Sequence, residues 1–270
     1  MVMDEIIKID NLMFRYNDLF IFDKFSLHIK RGDWLTISGS NGSGKSTLIK
    51  IITGILKSDC RIIIDNLELN SENLFEIRRN IGVVFDNLDD MFLCETVEDE
   101  IAFSLENLSY NRKQIKERID EISDVLNIRK LLHKSTNELS GGEKFKVALA
   151  CVLCFKPRIL IIDESLSLLD NTDKSNILKL LKSFNEKGLT IINITHNLEE
   201  SYESNRLIIL NNGEIVLDGP PIKVFEYDKV LTRLGIKLPF EIELSIKLKL
   251  YGLIDNIIPN IYNMVDKLWE

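Results

Sequence analysis

Residues 34–47 read Trp34-Leu-Thr-Ile-Ser-Gly39-Ser40-Asn41-Gly42-Ser43-Gly44-Lys45-Ser46-Thr47, an apolar run that opens into a glycine-rich loop. Gly39 to Ser46 match the pattern GxxxxGK[ST]. The run before them is strand-like, and a helix is expected to begin near Gly44 and stop near Gly54. Strand, loop and helix in that order are the context a phosphate-binding loop needs. There the backbone N–H groups point inward around phosphate oxygens, and the helix N-terminus adds partial positive charge. Lys45 would reach the outer phosphates and the Ser46 hydroxyl would ligate Mg²⁺. The bland alternative is a glycine-rich turn without a ligand.

Downstream, Ile159-Leu-Ile-Ile-Asp163-Glu164 is an apolar strand that ends in two acids. Burying acids at a strand end is costly unless they have a task. Asp163 suits a Mg²⁺ ligand, and Glu164 suits the group that orients or deprotonates an attacking water. Between loop and strand stands Leu139-Ser140-Gly141-Gly142-Glu143. Ser140-x-x-Glu143 is a capping box for the helix that follows, and two glycines at a helix N-terminus also leave N–H donors open to a phosphate.

The rest of the chain fits an α/β protein, with β-rich segments alternating with helical patterns. Residues 4 to 36 read as short strands, IIKIDNLMFRY, FSLHI and WLTISGS, with turn signals at Asn17-Asp18 and Arg31-Gly32-Asp33. RIIID and IGVVF read as strands. Residues 88 to 140 read as mostly helical, with Thr96-x-x-Asp99 as a capping box and Asn111 as a second cap. ILIIDE and TIINIT are continuous apolar runs, the mark of fully buried strands. LIILNNGEIVLDG reads as a hairpin about Asn212-Gly213. From Pro220 the chain turns Leu/Ile-rich and helical, broken at Pro239 and Gly252.

Composition narrows the function classes. The 270 residues carry a net charge of -8, which weighs against nucleic acid as the main ligand. No apolar run approaches the roughly 18 residues of a membrane span, and the acidic start MVMDEIIKIDN is not a secretory signal. Cys151 and Cys154 form a CxxC inside an apolar helical stretch, which reads as core packing rather than as a metal site. The lack of a disulfide pattern among the four cysteines fits a reducing compartment.

The order phosphate loop, LSGGE, ILIIDE, Ser167-Leu-Leu-Asp170 and then His196 after a buried strand resembles the ABC ATPase family over about residues 5 to 225. That resemblance implies a P-loop NTPase (RecA-like) α/β core with an antiparallel β subdomain, a helical ABC subdomain and a small helical C-terminal appendage. It places the ATPase domain at 4–225, its helical subdomain at about 88–155 and the appendage at 226–270. It implies ATP and Mg²⁺ as ligands. Tyr16 would stack on adenine, and Gly39 to Thr47 would hold the phosphates. Ser140, Gly141, Gly142 and Glu143 would meet the ATP of an opposite subunit. Ser167 and Asp170 would form the loop between subunits. His196 would hold the γ-phosphate and the attacking water. Asp86 would stand at the Q-loop position as a catalytic and Mg²⁺-binding group.

The segments IGVVFDNLDDMFLCETVEDEIAFSLENL, THNLEES, GPPIKVF and LGIKLPFEIELSIKLKLYGL resemble energy-coupling factor transporter ATPases, with TVEDEIAFSLEN leaning towards the first of their two types. The partners implied are a second ATPase arranged head to tail, a transmembrane coupling protein and a substrate-capturing membrane protein. The cargo implied is a vitamin or a transition-metal ion. The chain would then sit on the cytoplasmic side of a bacterial cell membrane, held only through its partners. Other readings are the ATPase of a different ABC transporter, a nucleotide-sensing module that has lost hydrolysis, and a non-transport ABC protein acting on DNA or ribosomes.

Two motifs, the Q-loop and the signature, depart from the family pattern. Asp86 replaces a glutamine, so an acceptor-only carboxylate stands where an amide would both donate and accept. The signature reads LSGGEKFK in place of LSGGQKQR, which puts charge at Glu143 and changes Phe145 and Lys146. Slower or altered hydrolysis, with ATP binding kept, is the expected result. Asp89 and Asp90 are candidates for contacting basic helices of a membrane partner, or form a solvated acidic turn.

Overall fold

The computed structural model describes residues 5–269. Met1 to Asp4 and Glu270 lie outside the described residues, and with them the first residue of the expected domain. Two long strands open the chain, β1 (Glu5–Tyr16) and β2 (Leu19–Lys30), paired antiparallel. β3 (Trp34–Gly39) enters the core, and α1 (Lys45–Ile52) leaves it through the glycine-rich loop. The short β4 (Ile62–Ile64) and β5 (Leu67–Glu68), then α2 (Leu74–Arg79) and β6 (Ile81–Val84), come next. A helical block follows, α3 (Val97–Glu106), α4 (Arg112–Val125) and α5 (Gly141–Leu153). β7 (Ile159–Asp163), α6 (Asn171–Asn185), β8 (Thr190–Ile194), β9 (Arg206–Asn211) and β10 (Glu214–Gly219) complete the α/β part. Four helices close the chain, α7 (Pro221–Phe225), α8 (Asp228–Arg233), α9 (Phe240–Leu250) and α10 (Ile261–Trp269).

β6, β7, β8, β3 and β9 lie side by side and parallel, with β10 antiparallel at the edge. Every residue of β3, β7 and β8 is buried. A parallel sheet demands this, because helices or a second sheet cover both its faces. On one face Ile37, Ile161 and Ile194 pack with Leu48 and Ile51 of α1 and with the four-stranded sheet β2-β1-β4-β5. On the other, Leu160, Ile162 and Ile191 pack with Phe145 and Leu149 of α5 and Ile177 and Leu181 of α6. Cys151 and Cys154 belong to that second cluster as ordinary core groups. The buried Asp65 carboxylate ties the two sheets, 2.8 Å from both Arg31 and Arg158.

Local chemistry explains the element ends. Asn212 (φ 48°) and Gly213 (φ 77°) form the positive-φ turn of the β9–β10 hairpin. Asn111 and Gln114 cap α4 reciprocally. Thr96 differs from the expected box. Its hydroxyl oxygen accepts from the Asp99 N–H at 3.2 Å, but the Asp99 carboxylate bonds that same hydroxyl at 2.6 Å. Aspartate is one methylene shorter than the usual glutamate, and only half the box closes. RIIID is also shorter than expected, because Asp65 (φ 49°) and Asn66 (φ 67°) turn the chain after Ile64.

The last helices do not hang free of the sheet. Phe225, Leu231, Ile236, Ile242 and Ile257 pack against Leu207 and Ile209 of β9 and against Leu198. Pro239 precedes α9 and Gly252 (φ 70°) follows it. Among the described residues no helix is long and apolar enough to cross a membrane.

Candidate functional site

In open parallel sheets, ligands sit beyond the carboxyl ends of the strands. Here those ends on four adjacent strands deliver the glycine-rich loop after β3, Thr195 and His196 after β8, Glu164 after β7, and Asp86 after β6. The loop's shape is fixed by packing. A Cβ on Gly39 would run into the Leu210 carbonyl oxygen, and Gly44 takes φ 109° with the Phe22 ring 2.9 Å from where a Cβ would be. The Ser43 carbonyl accepts from the Gly213 N–H at 3.0 Å, so the β9–β10 turn braces the loop.

A cleft of about 360 Å³ opens over the loop, lined by Ile21, Asn41, Gly42, Gly44, Lys45, Ser46 and Thr47 together with Asp86, Asp163 and Glu164. Lys45 is 6% exposed, and its ammonium donates to the Gly39 and Ser40 carbonyls at 2.8 and 3.1 Å. Burial lowers its pKa, and Glu164 and Asp163 oppose that.

Three carboxylates line the same cleft as this buried ammonium. Asp163 is pushed up to about 6, first by burial and then by the charges of Asp86 and Glu164. Glu164 stands between Lys45, 4.0 Å from Oε1, and His196, whose Nδ1 lies 3.5 Å from Oε2. Glu164 also holds φ 52°, the left-handed region that costs a non-glycine residue about 1–3 kcal/mol and that concentrates at functional sites. Its backbone is held in place by its N–H bond to the Ile194 carbonyl at 2.9 Å and by the Ser167 hydroxyl, which donates to its carbonyl at 2.6 Å. Ser46, Asp86 and Asp163 together offer oxygen donors only, the set a hard divalent cation takes. The crowded negative charge around Asp163 is what such an ion would relieve.

Ser140, Gly141, Gly142 and Glu143 do not line this cleft. Ser140 caps α5 as a full box: its N–H donates to Glu143 Oε2 at 2.9 Å, and its hydroxyl accepts from the Glu143 N–H at 3.3 Å. Glu143 also stands 3.6 Å from Lys134, and the Ser140 N–H with Lys134 holds its carboxyl below the usual range. The Glu143 carboxylate is thus engaged within its own box and beside Lys134. Gly141 and Gly142 sit at the first turn of the helix, where backbone N–H groups have no intrahelical acceptor. Gly142 packs on Asp173, and Asp173 pairs with Lys146 at 2.8 Å. Phe145 is fully buried. Asp170 caps α6 by accepting from the Asp173 N–H at 2.7 Å.

Other side chains have surroundings that the sequence does not signal. Tyr16 is 43% exposed, edge-on to Phe14, and outside the cleft lining. Ile21 lines the cleft without any signal in the sequence. Asp89 pairs with Lys144 of α5, and Asp90 accepts from Asn87 at 2.6 Å. The buried Glu100 carboxylate accepts from the Leu93 and Cys94 N–H groups at 2.8 and 2.7 Å, which fixes the stretch between Asp86 and α3. His28 lies between Glu5 and Asp10, and His133 beside Glu98, both away from the cleft.

Comparison with known proteins gives the family. A family model described as ABC transporter matches residues 22–167. The energy-coupling factor transporter ATP-binding protein EcfA1 of Bacillus subtilis is 38% identical over 255 residues, 93% of this chain and 91% of that protein. The EcfA1 protein of Streptococcus thermophilus is 38% identical over 270 residues, 98% of each chain. Among solved structures, cbiO1 from Clostridium perfringens, part of the ABC transporter complex cbiONQ, superimposes with a TM-score of 0.77 at 33% identity, covering 87% of this chain and 96% of that one. The ATP-binding cassette MJ0796, a post-hydrolysis dimer bound to ADP and Pi, superimposes with a TM-score of 0.72 at 27% identity, covering 80% and 98%.

Proposed function

The chain belongs to the ABC transporter ATPases, and within them to the energy-coupling factor ATP-binding subunits; from that premise we propose that its cleft binds Mg-ATP and hydrolyses it to ADP and phosphate across a head-to-tail pair of ATPase subunits, driving uptake through membrane partners. The observation that carries this reading is the placement of Glu164, strained at the end of β7 between Lys45 and His196 and next to the buried Asp163.

Each residue then has a task set by its position. The N–H groups of Gly42 to Thr47 and the α1 N-terminus take the β- and γ-phosphates, and Lys45 swings from the loop carbonyls towards them. Ser46, Asp163 and Asp86 would hold Mg²⁺, which would supply charge neutralisation at the phosphates. Glu164 orients the attacking water and takes its proton. His196 fixes the γ-phosphate side of that water and, through Glu164, the base itself. Ser140, Gly141 and Gly142 lie outside their own cleft, which supports their meeting the ATP of the opposite subunit. Tyr16, exposed at the tip of β1, is the candidate stacking surface for adenine. Ser167 and Asp170 occupy the turn between Glu164 and α6, which supports a contact between subunits there. The relatives named EcfA1 support a place as the first of two ATPase types, beside a transmembrane coupling protein and a substrate-capturing protein.

The test is ATPase turnover of the protein purified from membranes with whatever copurifies. Glu164→Gln is expected to lower turnover by about 10²-fold or more while ATP still binds. Copurification of a second ATPase and small membrane proteins completes the expected result. ATP binding without Glu164-dependent turnover, and without membrane partners, would instead identify a nucleotide-sensing module. The Asp86 carboxylate in the cleft is the observation that keeps that second reading in play.

A further inference from the structure

Glu200 is 1% exposed, the most deeply buried carboxylate among the described residues. Lys174 Nζ, on the first turn of α6, donates to its Oε1 at 3.1 Å, and Asn193 Nδ2, on β8, donates to its Oε2 at 3.2 Å. Asn193 is itself fully buried, in register with Thr36 of β3 and Ile162 of β7. Its Oδ1 has no hydrogen-bond partner, so a costly amide sits in the sheet with Glu200 as its side-chain partner. None of these three groups lines the nucleotide cleft. A well-packed apolar set would fill the same space with less desolvation.

What the ion pair joins gives it meaning. The Lys174 N–H donates to the Asp170 carbonyl at 2.8 Å, so Lys174 moves with the Asp170 turn. Glu200 closes the short turn after His196, its N–H donating to the Asn197 carbonyl at 3.2 Å. Asn197 in turn donates to Thr195 Oγ1 at 3.0 Å, which holds the residues on both sides of His196 to one another. The pair therefore bolts the Asp170 turn to the His196 turn through the interior of the molecule, behind the cleft.

We propose that Lys174 and Glu200, seated on Asn193, are positioning residues for hydrolysis that set His196 against Glu164 according to where the Asp170 turn lies. The inference rests on the ATPase reading above, in which the Asp170 turn meets a second subunit. Docking of that subunit seats the first turn of α6, Lys174 carries the placement to Glu200, and the turn after His196 follows. No proton or covalent bond is exchanged along the way; the pair contributes geometry, and misplacement of His196 is what its loss produces.

The test uses the ATPase purified from membranes with its copurifying subunits. Glu200→Gln and Lys174→Met remove the charges at similar size. Each is expected to lower kcat about tenfold while KM for ATP stays within about twofold. Lys174→Arg restores most of the rate. Placed on His196→Ala, Glu200→Gln is expected to cost less than about twofold more, because it acts through His196. The Glu164→Gln control separates the two readings: turnover that survives it overturns the ATPase reading and this inference together. Turnover lost in Glu164→Gln but unchanged in Glu200→Gln and Lys174→Met overturns the inference alone. So does a Glu200→Gln loss that multiplies in full with His196→Ala. Should Glu200→Gln fail to fold, Lys174→Met, its reversal by arginine and its own cycle with His196→Ala decide the matter.

Discussion

Asp163 carries the clearest electrostatic consequence of the site. Its carboxyl is raised from an ordinary value of 3.8 to about 6, so the folded chain disfavours its ionised form. The folded state then binds more protons than the unfolded one between those two values, and stability from this group falls as pH rises through that window. Asp163→Asn removes the penalty, so the nucleotide-free variant should be more stable than the parent by on the order of 2–3 kcal/mol at pH 7–8. The gap should close as pH falls towards 4, and thermal melts across that range check both sign and window. Asp86 is the second cause of the shift after burial. Glutamine at 86 would restore an amide that both donates and accepts, so Asp86→Gln should raise turnover severalfold; an unchanged rate in the assembled complex would remove Asp86 as a brake. Lys45, Asp163 and Glu164 are legible in the sequence because each closes a motif whose spacing encodes strand, loop and helix. Ile21 and Glu200 are not, because their neighbours in space lie on other strands and no local spacing records a contact across a sheet.

Caps show how an element can keep its fold while its signature drifts. Glu143 reaches back to the Ser140 N–H, a bond that the amide oxygen of glutamine makes equally well. Glu143→Gln should therefore change stability by less than about 0.5 kcal/mol. It should also change turnover less than about twofold, since the Ser140 N–H and Lys134 already engage the carboxylate. Ser140→Ala breaks the box and should cost about 1 kcal/mol. Chemical denaturation of the three proteins, with turnover beside it, separates the cap from the charge. Helix starts at Ser140 and Asn111 were readable because a cap is a four-residue event. The half-closed box at Thr96 was not, because a pattern treats aspartate and glutamate alike while the geometry does not. Phe145 is similar: as a letter it is a departure from the signature, and in space it is a fully buried core side chain.

At the scale of the whole molecule, the C-terminal helices show what the letters leave open. The change of character near Pro220 suggests a helical appendage, placed at 226–270, and the helices and their breaks at Pro239 and Gly252 are found where the letters put them. Yet Leu231, Ile236, Ile242 and Ile257 cover Leu207, Ile209 and Leu198, so these helices form one wall of the sheet. The periodic pattern announces an apolar face without saying which surface it meets. Two truncations follow with opposite outcomes. Ending the chain after Phe225 strips cover from the β9 face, at about 2 kcal/mol for each buried aliphatic side chain lost. That chain should be insoluble, or melt far below the parent. Ending it after Pro259 removes α10, which buries only Met264 and leaves Tyr262, Val265, Leu268 and Trp269 substantially exposed. That chain should fold, with a melting temperature within a few degrees of the parent, since one partly buried methionine is a small share of the core. Soluble yield and thermal melts of both decide the point, and a stable, nucleotide-binding chain ending at Phe225 would mean that the β9 face needs no such wall.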